Sequence, residues 1–252
     1  MINRTLLILL LTVATAFSAP AAPVTGKAKI ASLPLEYQIT LATTPEQNMR
    51  HTRRLAFKKR FAQARKDKIK ILMLGDSITH QWEGKHAQEL NKKYMQPYTV
   101  LNLGCSYDRT ENTLWIIEKS GILDLVQIEL ITLHIGTNNC HYDYRATTRG
   151  IKKILDSLRS RYPKAVILLH AIFPRGEDKS DKFRQVNEKV NAEIIKFCDN
   201  KNIIWFDLRQ KFLTPEGILE RSVMADLLHP RTIKGNTIWG EELKPYFEKY
   251  SK

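Results

Sequence analysis

The sequence predicts an α/β fold, a three-layer α/β/α sandwich around a five-stranded parallel sheet. Five short apolar runs, Ile69–Leu74, Thr99–Leu103, Ile128–Ile135, Ala165–Ile172 and Asn202–Phe206, are nearly continuous in hydrophobicity, as strands covered on both faces are. Stretches with helical spacing alternate with them, around Trp82–Lys93, Thr110–Lys119, Thr147–Ser160 and Lys182–Cys198, with a last one over Thr232–Tyr250. That alternation builds a parallel sheet between helical layers. The composition fits: 252 residues, 43% hydrophobic and 26% charged, with 11 Gly and 10 Pro, hold one large core and exclude collagen-like or wholly disordered classes.

Taken in order, the chain begins with an address. Arg4 precedes an apolar run from Leu6 to Val13, and Ala14, Ala16, Ser18, Ala19, Ala21 and Ala22 supply small residues for cleavage after Ser18 or Ala21. The run is short for a membrane span. Residues 1–22 are therefore expected to be a signal peptide, and the protein to be exported, periplasmic or secreted, without stable membrane insertion. Residues 23–67 read as an N-terminal leader and a basic helix. Pro23, Pro34 and Pro45 among small and polar residues predict an extended leader over 23–45. A helix from Glu46 to Ala64 follows, with Leu55, Phe57 and Phe61 as its apolar side. The main domain is expected over residues 68–252.

The formal net charge is +14, and the basic residues from Arg50 to Lys70 (Arg60 among them) face a single acid, Asp67. Such a run reads as the solvated face of a helix, with attraction to a polyanion such as an acidic glycan as the functional alternative. No nucleic-acid-binding module is recognisable. Cys105, Cys140 and Cys198 allow at most one disulfide, and none has zinc-site spacing, so no metal is expected. A Cys105–Cys140 bridge is considered, because their two loops are expected side by side above adjacent strands.

In a sheet of this kind the functional residues lie beyond the carboxyl ends of the strands. The first strand closes with Gly75-Asp76-Ser77, where a serine hydroxyl meets the N–H groups of a helix N-terminus; Asp76 or Ser77 equally suits a helix cap. The second closes with Gly104-Cys105-Ser106, and the third with Gly136-Thr137-Asn138-Asn139. The N–H of Gly104 and the side-chain amide of Asn138 are candidate oxyanion donors. The fourth strand leads to Pro174-Arg175-Gly176, and Asp226-Leu227-Leu228-His229-Pro230 precedes the last helix. A serine nucleophile needs an imidazole to take its proton and a carboxylate to orient that imidazole, and a three-residue offset delivers both from one loop. Asp76, Asn139 and Arg175 are candidate substrate contacts. His80, His134, His141 and His170 read as packing or hydrogen-bonded histidines.

Together these blocks, in this order, resemble the SGNH or GDSL-type esterase and lipase superfamily over about residues 68–248. The segments Gly136-Thr137-Asn138-Asn139, Phe173-Pro174-Arg175-Gly176-Glu177 and Phe183-Arg184-Gln185-x-Asn187 are most similar to its platelet-activating-factor acetylhydrolase catalytic-subunit branch. The resemblance implies a flavodoxin-like SGNH hydrolase fold and a serine esterase needing no cofactor. It also implies Ser77, Asp226 and His229 as catalytic residues, with Ser77, Gly104 and Asn138 as the oxyanion hole. Exported bacterial relatives are often carbohydrate O-acetylesterases, so the expected substrate is a small-molecule or polysaccharide acetyl ester. One departure is visible: the branch usually carries two consecutive glycines where this chain has Ser106 and Tyr107. The alternatives are a platelet-activating-factor-like lipid acetylhydrolase or lysophospholipase, and a catalytically weakened polyanion-binding protein.

Overall fold

The computed structural model describes residues 27–48 and 51–251; the expected signal peptide lies outside the described residues. Five strands form one sheet: β1 (Ile71–Gly75), β2 (Val100–Asn102), β3 (Leu130–His134), β4 (Val166–His170) and β5 (Ile203–Phe206). All pairings are parallel, in the order β2-β1-β3-β4-β5. This is the five-stranded α/β/α sandwich expected, and the strands fall on the apolar runs that announced them, β1 alone reaching past its run to Gly75.

Alternation along the strands divides the core. Leu72 and Leu74 of β1, Ile131 and Leu133 of β3 and Ile167 and Leu169 of β4 point to one face. There they meet Leu114, Ile116 and Ile117 of α6 (Thr110–Glu118), Ile151, Ile154, Leu155 and Leu158 of α7 (Tyr144–Arg161), and Val190 and Ile194 of α8 (Lys182–Ile194). Ile71, Met73, Leu130 and Leu168 point the other way, onto Trp82, onto Tyr94 of α5 (Gln88–Tyr94), onto Phe212 of α9 (Arg209–Phe212), and onto Trp239, Leu243 and Phe247 of α10 (Ile233–Tyr250). Thr232 starts α10 by accepting the Gly235 N–H at 2.9 Å.

The N-terminal region departs from expectation. The described part of the 23–45 segment is not an extended leader, since it contains α1 (Lys27–Ala31) and α2 (Leu35–Thr43), while Pro23 lies outside the described residues. Pro34 sits at the α2 N-cap and Pro45 beyond its end, positions where proline punctuates a helix without breaking it. Ala42 and Ile30 are buried against Tyr142 and Ala146. The basic helix α3 (His51–Lys66) starts later than Glu46, because residues 46–48 run as coil tied to α6: Glu46 N–H donates to Glu111 O at 3.0 Å. Leu55 and Phe57 lie where side chains are not described, whereas Phe61 packs against the core.

Two more helices are shorter than their spacing suggests. The stretch expected as Trp82–Lys93 breaks at extended Gly84 into 3₁₀ turns Gln81–Glu83 and Lys85–Ala87 before α5. The last turn of the Lys182–Cys198 pattern tightens into a 3₁₀ helix, Ile195–Phe197.

The Cys105–Cys140 bridge is not formed; both residues are buried thiols. The strands that precede them are not neighbours. Cys105 follows β2 and Cys140 follows β3, and β1 lies between those strands. The two loops nonetheless meet above β1, where Asn138 Nδ2 donates to the Asp108 carbonyl at 3.0 Å.

Candidate active site

Strand order reverses direction at β1, the point in such sheets where a crevice opens above the carboxyl ends. Gly75 ends β1 there because a side chain would not fit: an added Cβ would lie 2.4 Å from the His134 carbonyl oxygen. The chain then turns into a single helical turn, α4 (Ser77–His80), capped by Asp76, whose Oδ1 accepts the Ile78 N–H at 2.9 Å. The cap leaves Ser77 at the first position of the helix, where its own N–H has no intrahelical partner.

The opposing group comes from the loop before α10. Asp226 Oδ1 accepts the N–H groups of Leu228 (3.1 Å) and His229 (2.8 Å), which curls the four residues into a compact turn. Leu227 adopts a left-handed φ of 55°, and the Gly176 N–H donates to its carbonyl at 2.9 Å. The loop is thus tied to the one that follows β4. It delivers His229 Nε2 to 2.8 Å from Ser77 Oγ, and His229 Nδ1 to 2.7 Å from Asp226 Oδ2. A hydroxyl, an imidazole and a carboxylate from two distant segments form one hydrogen-bonded line.

Burial lowers the His229 pKa below 6.5, with the Asp226 hydrogen bond working against that shift. The ring is therefore neutral near pH 7, with Nε2 available to take a proton. Partial burial alone would raise the Asp226 carboxyl, but hydrogen bonds from the His229 backbone and ring bring it below its ordinary range. Asp226 remains an anion able to hold the Nδ1 proton.

The other sequence candidates divide. Asn138, on a 3₁₀ turn after β3 (Thr137–Asn139), donates Nδ2 to the Asp108 carbonyl at 3.0 Å and lines a cleft of 440 Å³. Arg175 lines the same cleft, donating to Thr137 O at 3.1 Å with its guanidinium over the Phe183 ring. Gly104 holds a different position from the open donor expected: its N–H donates to Asn102 Oδ1 at 2.8 Å. What makes glycine necessary there is close approach, since an added Cβ would lie 2.6 Å from His80 N on the back of α4.

Two candidate substrate contacts are corrected. Asp76 is wholly buried as the helix cap, and burial pushes its carboxyl up to about 7. Asn139 is also wholly buried, and its Oδ1 accepts the Thr110 N–H at 3.1 Å, so it braces α6 instead of facing the cleft. The departure at 106–107 has a local account. Ser106 Oγ pairs with His80 Nδ1 at 3.1 Å, while Tyr107 takes a φ of 68°, where glycine would sit without strain, and lines the cleft as an exposed residue (58%).

Sequence reasoning missed three contributors. Asn102 bridges the Gly104 N–H and the Thr79 carbonyl, the latter at 3.0 Å; its place two residues before Gly104 was the available signal. Asn48, from the N-terminal coil, lines the cleft and donates to Asp108 Oδ1 at 2.9 Å, and no local pattern marks it. Arg60 lies in the basic run and is 2% exposed.

Comparison with known proteins identifies the family. The sequence pattern of the GDSL-like Lipase/Acylhydrolase family matches residues 73–232. The human platelet-activating factor acetylhydrolase IB subunit alpha1 is 29% identical over 191 residues, covering 74% of this chain and 80% of that protein. The rat alpha2 subunit is 31% identical over 161 residues, covering 63% of this chain and 68% of the relative. Among solved structures, a GDSL-like lipase from Bacteroides thetaiotaomicron shares the fold with a TM-score of 0.64 at 18% identity, over 78% of this chain and 97% of the other. A catalytic mutant of an acetylxylan esterase from Geobacillus stearothermophilus does so with a TM-score of 0.54 at 16% identity, over 71% and 94%. The chain is a carboxylic ester hydrolase and belongs to the GDSL-like lipase/acylhydrolase family.

Proposed function

We propose that this protein is an exported serine esterase that removes acetyl groups from O-acetylated carbohydrate through an acyl-enzyme. The observation that carries the mechanism is the 2.8 Å and 2.7 Å relay from Ser77 through His229 to Asp226 at the rim of the sheet. His229 Nε2 takes the Ser77 proton as Oγ attacks the ester carbonyl, and Asp226 stabilises the imidazolium. The tetrahedral oxyanion is met by the Ser77 N–H and the Asn138 amide; the Gly104 N–H joins them only by leaving Asn102. His229 then protonates the departing sugar oxygen, and in the second half-reaction it activates the water that releases acetate.

The carbohydrate reading is supported by the walls of the cleft. Gln47, Asn48, Asn138 and Arg175 offer amide and guanidinium groups, and Tyr107 offers an exposed ring. Those polar groups can hydrogen-bond sugar hydroxyls, and Ile30, Phe183 and Leu228 beside them supply apolar wall for a ring face. The acetylxylan esterase with the same fold makes an acetylated glycan a natural first substrate. Export rests on the N-terminal sequence pattern alone. The test is acetate release from an acetylated xylo-oligosaccharide and from a short-chain platelet-activating-factor-like phospholipid, each with wild type and Ser77→Ala. Ser77-dependent turnover at least tenfold faster on the oligosaccharide is expected. Faster turnover of the phospholipid would replace the carbohydrate assignment with the lipid one suggested by the acetylhydrolase relatives.

A further inference from the structure

Arg60 belongs to α3, N-terminal to the residues that match the family pattern. Its neighbours Lys59, Arg65 and Lys66 are not buried, but the Arg60 side chain is only 3% exposed. Its Nη2 donates to the Gly104 carbonyl at 2.7 Å, and Glu83, just beyond α4, stands 3.6 Å away. Its Nε and Nη1 are buried with no hydrogen-bond partner. A guanidinium taken out of water with three of its five N–H donors idle is costly to a fold. The one strong bond it makes is to the residue that packs on the back of the Ser77 helix.

We propose that Arg60 is a positioning residue for the Ser77 nucleophile, acting through the Gly104 peptide; this rests on the serine-esterase reading above. Gly104 is held on both sides of its Cα, its carbonyl by Arg60 and its N–H by Asn102 Oδ1 at 2.8 Å. Asn102 also grips the Thr79 carbonyl at 3.0 Å, and Gly104 Cα abuts Thr79 and His80. Arg60, Gly104, Asn102 and α4 therefore form one braced unit. Its forward edge is Ser77 Oγ, 2.8 Å from His229. Releasing the Gly104 carbonyl lets α4 settle backwards, and a shift of about 1 Å at a nucleophile costs on the order of 100-fold in rate. The N-terminal helix is on this account a working part of the esterase.

The experiment uses the full-length protein with p-nitrophenyl acetate, counting competent sites with a serine-directed fluorophosphonate. Wild type, Ser77→Ala, Arg60→Met and Arg60→Lys are compared. Arg60→Met keeps the aliphatic stem and removes the donor; its kcat per titrated site is expected to fall by about 10- to 100-fold with KM within about twofold. Arg60→Lys, a single-point donor, is expected to fall between it and wild type. A purely structural role would lower the number of titratable sites and leave kcat per site unchanged. Arg60→Met within twofold of wild type per site, beside an inactive Ser77→Ala, overturns the proposal alone. Equal rates for wild type and Ser77→Ala overturn the esterase reading and this proposal with it. Should Arg60→Met fail to fold, Arg60→Gln, too short to reach Gly104, carries the same expectation and the same overturning result.

Discussion

His229 and the pair His134 and His170 are the same side chain in opposite circumstances. His229 sits on a loop at the sheet rim, with Ser77 Oγ on one ring nitrogen and Asp226 Oδ2 on the other. His134 and His170 end β3 and β4 inside an aromatic cluster: His134 lies 4.2 Å from the Phe173 ring, and His170 lies 4.5 Å from Phe206, with Trp239 packed against both. His134 Nε2 accepts the Phe173 N–H at 3.3 Å, while neither ring nitrogen of His170 has a hydrogen-bond partner. Burial pushes His134 down to about 3 and His170 well below 6.5, so both fill space as neutral rings. Burial lowers His229 too, but Asp226 opposes it. A base thus needs a carboxylate on one nitrogen and an open approach on the other; lowered basicity alone makes only packing.

The largest expected effect separates the two regions directly. Asp226→Asn leaves the turn in place but removes the charge that holds the Nδ1 proton, and kcat on a chromogenic acetate should fall by on the order of 10²–10⁴. His170→Phe should leave kcat within about twofold. A comparable loss from both would erase the distinction.

The pH responses sharpen it. Because His229 lies below 6.5, kcat/KM should rise with pH to a plateau before neutrality, read from rates between pH 4 and 9. Stability should follow the buried pair instead. A histidine whose folded pKa lies below its unfolded value takes up its proton only on unfolding, so stability is lost as pH falls from 6.5 towards about 3 for His134. Between pH 8 and pH 5 this amounts to roughly 2 kcal/mol for His134. Urea melts should show His170→Phe gaining on wild type at pH 5 relative to pH 8.

The last effect concerns Asp76. Its folded pKa of about 7 exceeds the ordinary 3.8, so its contribution runs the other way, and stability falls as pH rises through that window. Asp76→Asn keeps an oxygen to cap Ile78. It should raise Tm above pH 7 and change it little below pH 4, measured by thermal melts at both ends.

How much of this was legible in the sequence depended on distance along the chain. The strands were readable because burial on both faces leaves uninterrupted apolar runs, and Ser77, Asn138 and His229 because each follows a strand or precedes a helix. Asn138 and Asn139 were harder to separate, since one turn of 3₁₀ helix aims the first at the cleft and the second at Thr110. The order β2-β1-β3 is a tertiary outcome with no local mark, so the expected adjacency of the strands before Cys105 and Cys140 does not hold, although their loops do meet. Arg60 was hidden by its company: among basic residues at helical spacing, nothing local shows which one meets a carbonyl 44 positions away.

The central claim is that Ser77 becomes the acyl carrier when the neutral His229 takes its proton. The most direct test is to quench the wild-type reaction with p-nitrophenyl acetate at low pH and map the acetylated peptide by mass spectrometry. A 42 Da increment is expected on Ser77 in wild type, absent when His229 is replaced by alanine. A stable acetyl group found on another residue, or turnover that survives Ser77→Ala at the wild-type rate, would contradict it.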